Sequence, residues 1–187
     1  MATSVDEICR AKMSEKKYIK NGFATSIMSN LHALWRNGEF CDIVLNVDNR
    51  DFNAHKVVLV SSSPYFNAMF RGNMSEKFKE KVNIKGVTSD AMELLLDFCY
   101  TGEITVTESN VEDLFLAADL LGFSHAKEAC ASFLLDQLDL GNCIGIFQLG
   151  QKISCPELCS KTQSFINTNF KAVAECNEIL NLDAKEL

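Results

Sequence analysis

The chain has 187 residues, a formal net charge of −7, and 47% hydrophobic against 23% charged residues, enough for one large domain or two small ones around a full apolar core. The acidic balance, with a pI near 5.0, argues against a nucleic-acid surface, because affinity for phosphate comes largely from Lys and Arg displacing counterions. No apolar run approaches the roughly 20 residues needed to cross a bilayer, and residues 1–20 are polar rather than signal-like, so the expectation is a cytoplasmic or nuclear protein bound to no membrane.

Cysteine usage agrees with that expectation. The eight cysteines, at 9, 41, 99, 130, 143, 155, 159 and 176, are scattered through apolar runs and read as free buried thiols rather than a disulfide framework. Cys155 and Cys159 are spaced i, i+4, but none of the three histidines (His32, His55, His125) lies near them, so neither a metal nor any other cofactor is expected.

In chain order, residues 1–20 form a flexible N-terminus. Phe23, Ile27, Leu31, Leu34 and Trp35 recur at three- and four-residue steps and predict an amphipathic helix ending near Asn37-Gly38. Its stripe either packs on its own subunit or meets a second chain. Residues 41–47 alternate as a strand, Asp48-Asn49 is a turn signal, and residues 50–54 return as the second strand of a hairpin. Residues 55–60 read as a short buried helix. Ser63 as N-cap with Pro64 at the first helical position opens the next, whose apolar face is Tyr65, Phe66, Met69 and Phe70.

A polar exposed loop over 71–81 precedes a short strand at 82–84 and a helix over 89–100 with Ser89 as N-cap and Gly102 closing it. Residues 104–106 read as one more β-like stretch, and 111–121 and 126–138 as two helices broken at Gly122. Everything from Asn142 reads helical, with Pro156 starting one helix and the pattern breaking off within 179–187. The periodicity thus predicts a mixed α/β domain followed directly by helices.

Five strings in this order resemble the Kelch-like family of BTB-BACK proteins: Phe40-Cys41-Asp42-Ile43, residues 52–59, Ser63-Pro64-Tyr65-Phe66 with Met69-Phe70, residues 98–102, and residues 142–146. The resemblance implies an α+β BTB/POZ fold, a small sheet flanked by helices, over 21–138. An all-α partial BACK domain, the so-called three-box, follows over 139–187. It also implies a homodimer built on the first helix, through Phe23, Ile27, Leu31, Leu34 and Trp35, and a substrate-adaptor role in a cullin-3 RING ubiquitin ligase.

The implied cullin-binding residues are Phe70, Met74, Glu76, Tyr100, Leu121, Phe123, Asn142, Cys143 and Phe147. Met74-Ser75-Glu76 fits the family's hydrophobic-x-Glu pattern, an apolar knob beside a charge, although the same letters suit a solvated loop. Phe123 beside Gly122 is either an exposed anchor or a core residue. Asp42, His55 and Lys56 match positions that form a corepressor pocket in BTB transcription repressors, while His55 also suits a structural bridge at a helix start. In the family the substrate is chosen by a C-terminal six-bladed propeller, absent from this chain, so the substrate is unknown and the chain reads as the ligase-facing part of an adaptor, either an excised fragment or a naturally short product.

Other functions fare less well. The serine cluster at 61–63 lacks a Gly-x-Ser-x-Gly frame, and there is no Gly-rich phosphate loop, so an enzyme is not expected. The alternative to a cullin adaptor is a BTB dimerisation or scaffold module, corepressor-binding or cytoskeletal, that does not bind cullin.

Overall fold

The structure, a computed structural model, describes residues 17–71 and 79–176. Asp48 and Asn49 both adopt left-handed backbone, φ 48° and 64°, as a two-residue I′ turn demands, and so reverse the chain between β1 (Ile43–Val47) and β2 (Arg50–Ala54). The hairpin pairs Ile43 with Ala54 and Val47 with Arg50. β3 (Lys81–Asn83) then joins the other side of β1 in parallel, Leu45 opposite Val82, giving the order β2-β1-β3. Ile43, Leu45, Val47, Phe52, Ala54 and Val82 are buried, so one face of this small sheet supplies the floor of the core.

Helices flank it. They are α1 (Phe23–Arg36), α2 (Lys56–Ser62), α3 (Pro64–Arg71), α4 (Ser89–Thr101), α5 (Val111–Leu120) and α6 (Ser124–Asp136), followed by α7 (Cys143–Lys152), α8 (Pro156–Thr168) and α9 (Phe170–Ala174). The predicted α+β class, with an all-α segment behind the sheet domain, is the architecture observed. The main apolar cluster is continuous across the two regions. Ile146, Ile153 and Leu158 from α7, its C-cap and α8 belong to the same cluster as Leu45, Phe66, Met92 and Cys130.

Ser63 caps α3 as expected, accepting from the Phe66 amide at 3.2 Å. Three expectations are corrected. The N-cap of α4 is Thr88 rather than Ser89, with the Thr88 hydroxyl accepting from the Ala91 amide at 3.4 Å. The sixth helix begins at Ser124, two residues earlier than its apolar pattern indicates. Residues 104–106 join no ladder, although Ile104 and Val106 are packed on the core. The Thr105 carbonyl is taken by the Asn110 side-chain amide at 3.0 Å, and no strand among the described residues lies alongside. Of the polar loop over 71–81, residues 72–78 lie outside the described residues.

Candidate protein-interaction site

At 100° per residue, Phe23, Leu34 and Ile27 fall within about 40° of one another on α1, with Leu31 and Trp35 following to one side. Exposure falls along the helix as well as around it. Phe23 is 59% exposed and Ile27 44%, Leu34 and Leu31 are half-buried, and Trp35 is 9% exposed. The predicted stripe therefore has two jobs. Leu31 and Trp35 seat the helix on its own subunit, α1 packing on α4, while Phe23 and Ile27 face outward with Tyr18 and Ile19, themselves 81% and 76% exposed. Trp35 packs inward, the own-chain reading of the stripe: its ring stacks on Tyr100 at 4.6 Å, and its indole N–H donates to the Asn53 carbonyl at 2.6 Å.

Tyr100 is consumed in the same knot. Its hydroxyl accepts from the His55 amide at 3.1 Å and lies 2.9 Å from His55 Nδ1, while His55 Nε2 lies 2.9 Å from the Glu39 carbonyl. A carbonyl only accepts, so these partners assign the proton to Nε2 and make Tyr100 the donor to Nδ1. Burial above all pushes the Tyr100 phenol up to about 12. Of the two readings for His55, the geometry is that of the bridge, joining the end of α1, the end of β2 and α4. The backbone cap of α2 comes from elsewhere, the Asp42 carboxylate accepting from the Lys56 amide at 2.7 Å. Cys41 Sγ lies 3.9 Å from His55 Nε2, but burial, and then the Asp42 charge, push its thiol up, the wrong direction for a nucleophile.

The remaining predicted contacts divide between core and surface. Phe70, Leu121, Phe123 and Cys143 are buried, at 6%, 0%, 2% and 0% exposure, so for Phe123 the core reading holds and none of the four is an exposed anchor. Phe70 stacks on Phe66, and Phe123 meets Phe66 edge-on at 6.4 Å. Phe123 is inside because α5 ends in a Schellman turn: the Phe123 amide donates to the Ala118 carbonyl, the Gly122 amide to Asp119, and Gly122 has φ 73°. A residue in that place ordinarily folds back onto the helix it follows. Met74 and Glu76 lie outside the described residues.

Asn142 is half-buried and committed at both ends of its amide. Its oxygen accepts from the Asp139 amide at 2.8 Å, and its nitrogen donates to the Gln137 carbonyl at 2.7 Å. Asn110 makes the same pair of bonds ahead of α5, to the Thr107 amide and the Thr105 carbonyl. Both are local side-chain staples that fix the turn before a helix. Phe147, by contrast, is part-exposed and lines a shallow trough of about 820 Å³ between α7 and α8, with Pro156, Cys159, Gln163 and Asn167. Gly150 lets the two helices approach, since a Cβ there would meet Cys159 Sγ at 3.1 Å.

The periodicity reading overlooked outward apolar residues. Phe40 and Val57 are 81% and 69% exposed, and Phe40 holds a left-handed φ of 58°. The signal available for Phe40 was its place between a helix-ending Gly38 and a strand. Among the described residues no group of three or more His, Cys, Asp or Glu side chains could hold a metal ion, and no helix is long and apolar enough to cross a membrane. What this arrangement offers is docking area: an outward apolar helix face at one end and a grooved helix pair at the other.

Residues 31–138 match the BTB family (BTB/POZ domain), and residues 143–187 match the BACK family (BTB And C-terminal Kelch).

Proposed function

We propose that this chain, which belongs to the BTB/POZ domain family and carries a BACK domain behind it, is the self-associating, ligase-facing part of a cullin-3 substrate adaptor. A BTB-BACK chain is an adaptor or scaffold module, a type that is ordinarily non-catalytic. The observation that carries the finer reading is the outward face of α1. Phe23 and Ile27, with Tyr18 and Ile19 before them, leave large apolar side chains in water at about 25 cal/mol per Å². A two-fold contact between copies removes that cost with one self-complementary patch.

The cullin half of the reading is supported by continuity between the domains. The α7–α8 trough lined by Phe147 lies on helices that share one apolar core with α3 and α5, so the two regions offer their docking area from a common core. Phe70, Tyr100, Leu121, Phe123 and Cys143 would contribute from the core and Asn142 from the linker, and Met74 with Glu76 would add direct contacts.

Titrating the chain with the cullin-3 N-terminal region tests the proposal. A complex at micromolar concentration, weakened by Met74→Ala with Glu76→Ala while the dimer persists, is expected. No complex would reduce the chain to a dimerisation or scaffold module. Phe23→Asp with Ile27→Asp is expected to give monomers in sedimentation equilibrium, and an unchanged dimer would refute the α1 interface.

A further inference from the structure

We infer that Lys127 is a positioning residue that locks the BACK helices at a fixed angle on the BTB domain. Its ammonium lies where three helices converge. From α6, Nζ reaches Asp119 Oδ1 near the end of α5 at 2.5 Å and the carbonyl of Ile153, the C-cap of α7, at 3.2 Å. The side chain is 26% exposed, so this is a partly shielded ionic contact rather than a solvated surface pair.

The end of α7 explains why that carbonyl needs a partner from outside. The Cys155 amide donates to Gly150 and the Ser154 amide to Gln151, a Schellman closure that leaves the Ile153 carbonyl unused. The residue in the left-handed position is Ser154, φ 50°, where a glycine would be at ease. The cationic Lys127 side chain therefore meets the negative pole of α7 at a strained turn, as the helix dipole favours.

Apolar contact alone would leave the angle loosely set. Ile146, Ile153 and Leu158 fuse the two regions into one core, but burial is non-directional. Directional contacts hold both ends of α7, about 15 Å apart for ten residues. Asn142 holds the N-terminal end to the linker, and Lys127 holds the C-terminal end to α5 and α6. With the Lys127 end released, α7 and α8 pivot about Asn142. The inference stands apart from the cullin reading, because it concerns the joint and not what docks on it.

Hydrogen exchange on the full chain tests it. Lys127→Met keeps the length and apolar stem but removes the charge. Amides in the last turn of α7 and in α8 are then expected to exchange about tenfold faster, with β1, β2 and α4 unchanged. Asp119→Asn, which leaves the lysine in place, is expected to give a smaller effect confined to the same segment. Lys127→Arg, keeping charge and donors, should stay within about threefold of the parent. Unchanged exchange in α7 and α8 of Lys127→Met overturns the inference, as does acceleration spread evenly over both domains. A Lys127→Arg loss as large as that of methionine also overturns it, because the charge would then not be what holds the joint.

Discussion

Ser63 and Leu121 join the start of one helix to the end of another: the Ser63 hydroxyl donates to the Leu121 carbonyl at 2.5 Å while its oxygen accepts from the Phe66 amide at 3.2 Å. Leu121 is the C-cap of α5 and Ser63 precedes α3, so one buried hydroxyl satisfies an orphan carbonyl and an orphan amide at once.

Ser63→Ala should therefore cost more than an ordinary cap. Losing the cap costs about 1 kcal/mol, and the stranded buried carbonyl adds about 1–2 kcal/mol. Urea unfolding monitored by circular dichroism checks this, and a loss below about 0.5 kcal/mol would contradict the double role.

Tyr100→Phe removes a single oxygen but strips partners from both the backbone N–H and Nδ1 of His55. With two buried polar atoms unpaired, the expected cost is about 2–4 kcal/mol. If the variant unfolds at the parent's urea midpoint, the knot at α1, β2 and α4 contributes nothing to stability.

Gly122→Ala and Ser154→Gly should move stability in opposite directions. A Cβ at Gly122, φ 73°, would be strained and would meet Pro64 Cδ at 3.2 Å, for a cost of about 1–3 kcal/mol. Glycine at 154 relieves the left-handed strain, about 1–2 kcal/mol, against about 0.5–1 kcal/mol of added chain entropy, leaving a small net gain. Thermal melts of both variants decide the signs.

Stability should fall at alkaline pH. Burial first of all pushes the Cys99 and Cys130 thiols and the Tyr100 phenol up to about 12, from ordinary values of 9.0 for the thiols and 10.0 for the phenol. A raised folded pKa stabilises fully below the unfolded value, and that contribution is lost as pH climbs through the folded one. The window is therefore about pH 9 to 12, at about 1.4 kcal/mol per pH unit for each group ionised only when unfolded. Urea midpoints at pH 8, 9, 10 and 11 trace it, and Cys130→Ala, compared with the parent, should flatten the fall.

Local chemistry made much of the fold readable from sequence. Asp48-Asn49 predicts the hairpin because both residues tolerate left-handed backbone, and Ser63-Pro64 predicts a helix start because each residue has one suitable place there. Periodicity predicts that α1 has an apolar stripe, but it does not separate the buried edge at Trp35 from the outward edge at Phe23, which differ by about a third of a turn. For Phe123 the sequence leaves an exposed anchor and a core residue equally open, and the Schellman turn decides for the core; for Asn142 it offers a surface contact, whereas linker bonds occupy its amide. Lys127 gave no signal because its partners are 8 and 26 residues away along the chain.

One consequence of the stack between Trp35 and Tyr100 is optical. Trp35 is the only tryptophan in the chain, it lies flat on Tyr100 at 4.6 Å, and the Arg36 guanidinium sits 4.8 Å over its ring. The intrinsic fluorescence of the whole protein thus reports the seating of a single helix. If the proposed dimer forms, a red shift on dilution signals that α1 loosens from its own fold when the second copy leaves, and a constant emission maximum means that the helix stays seated without it.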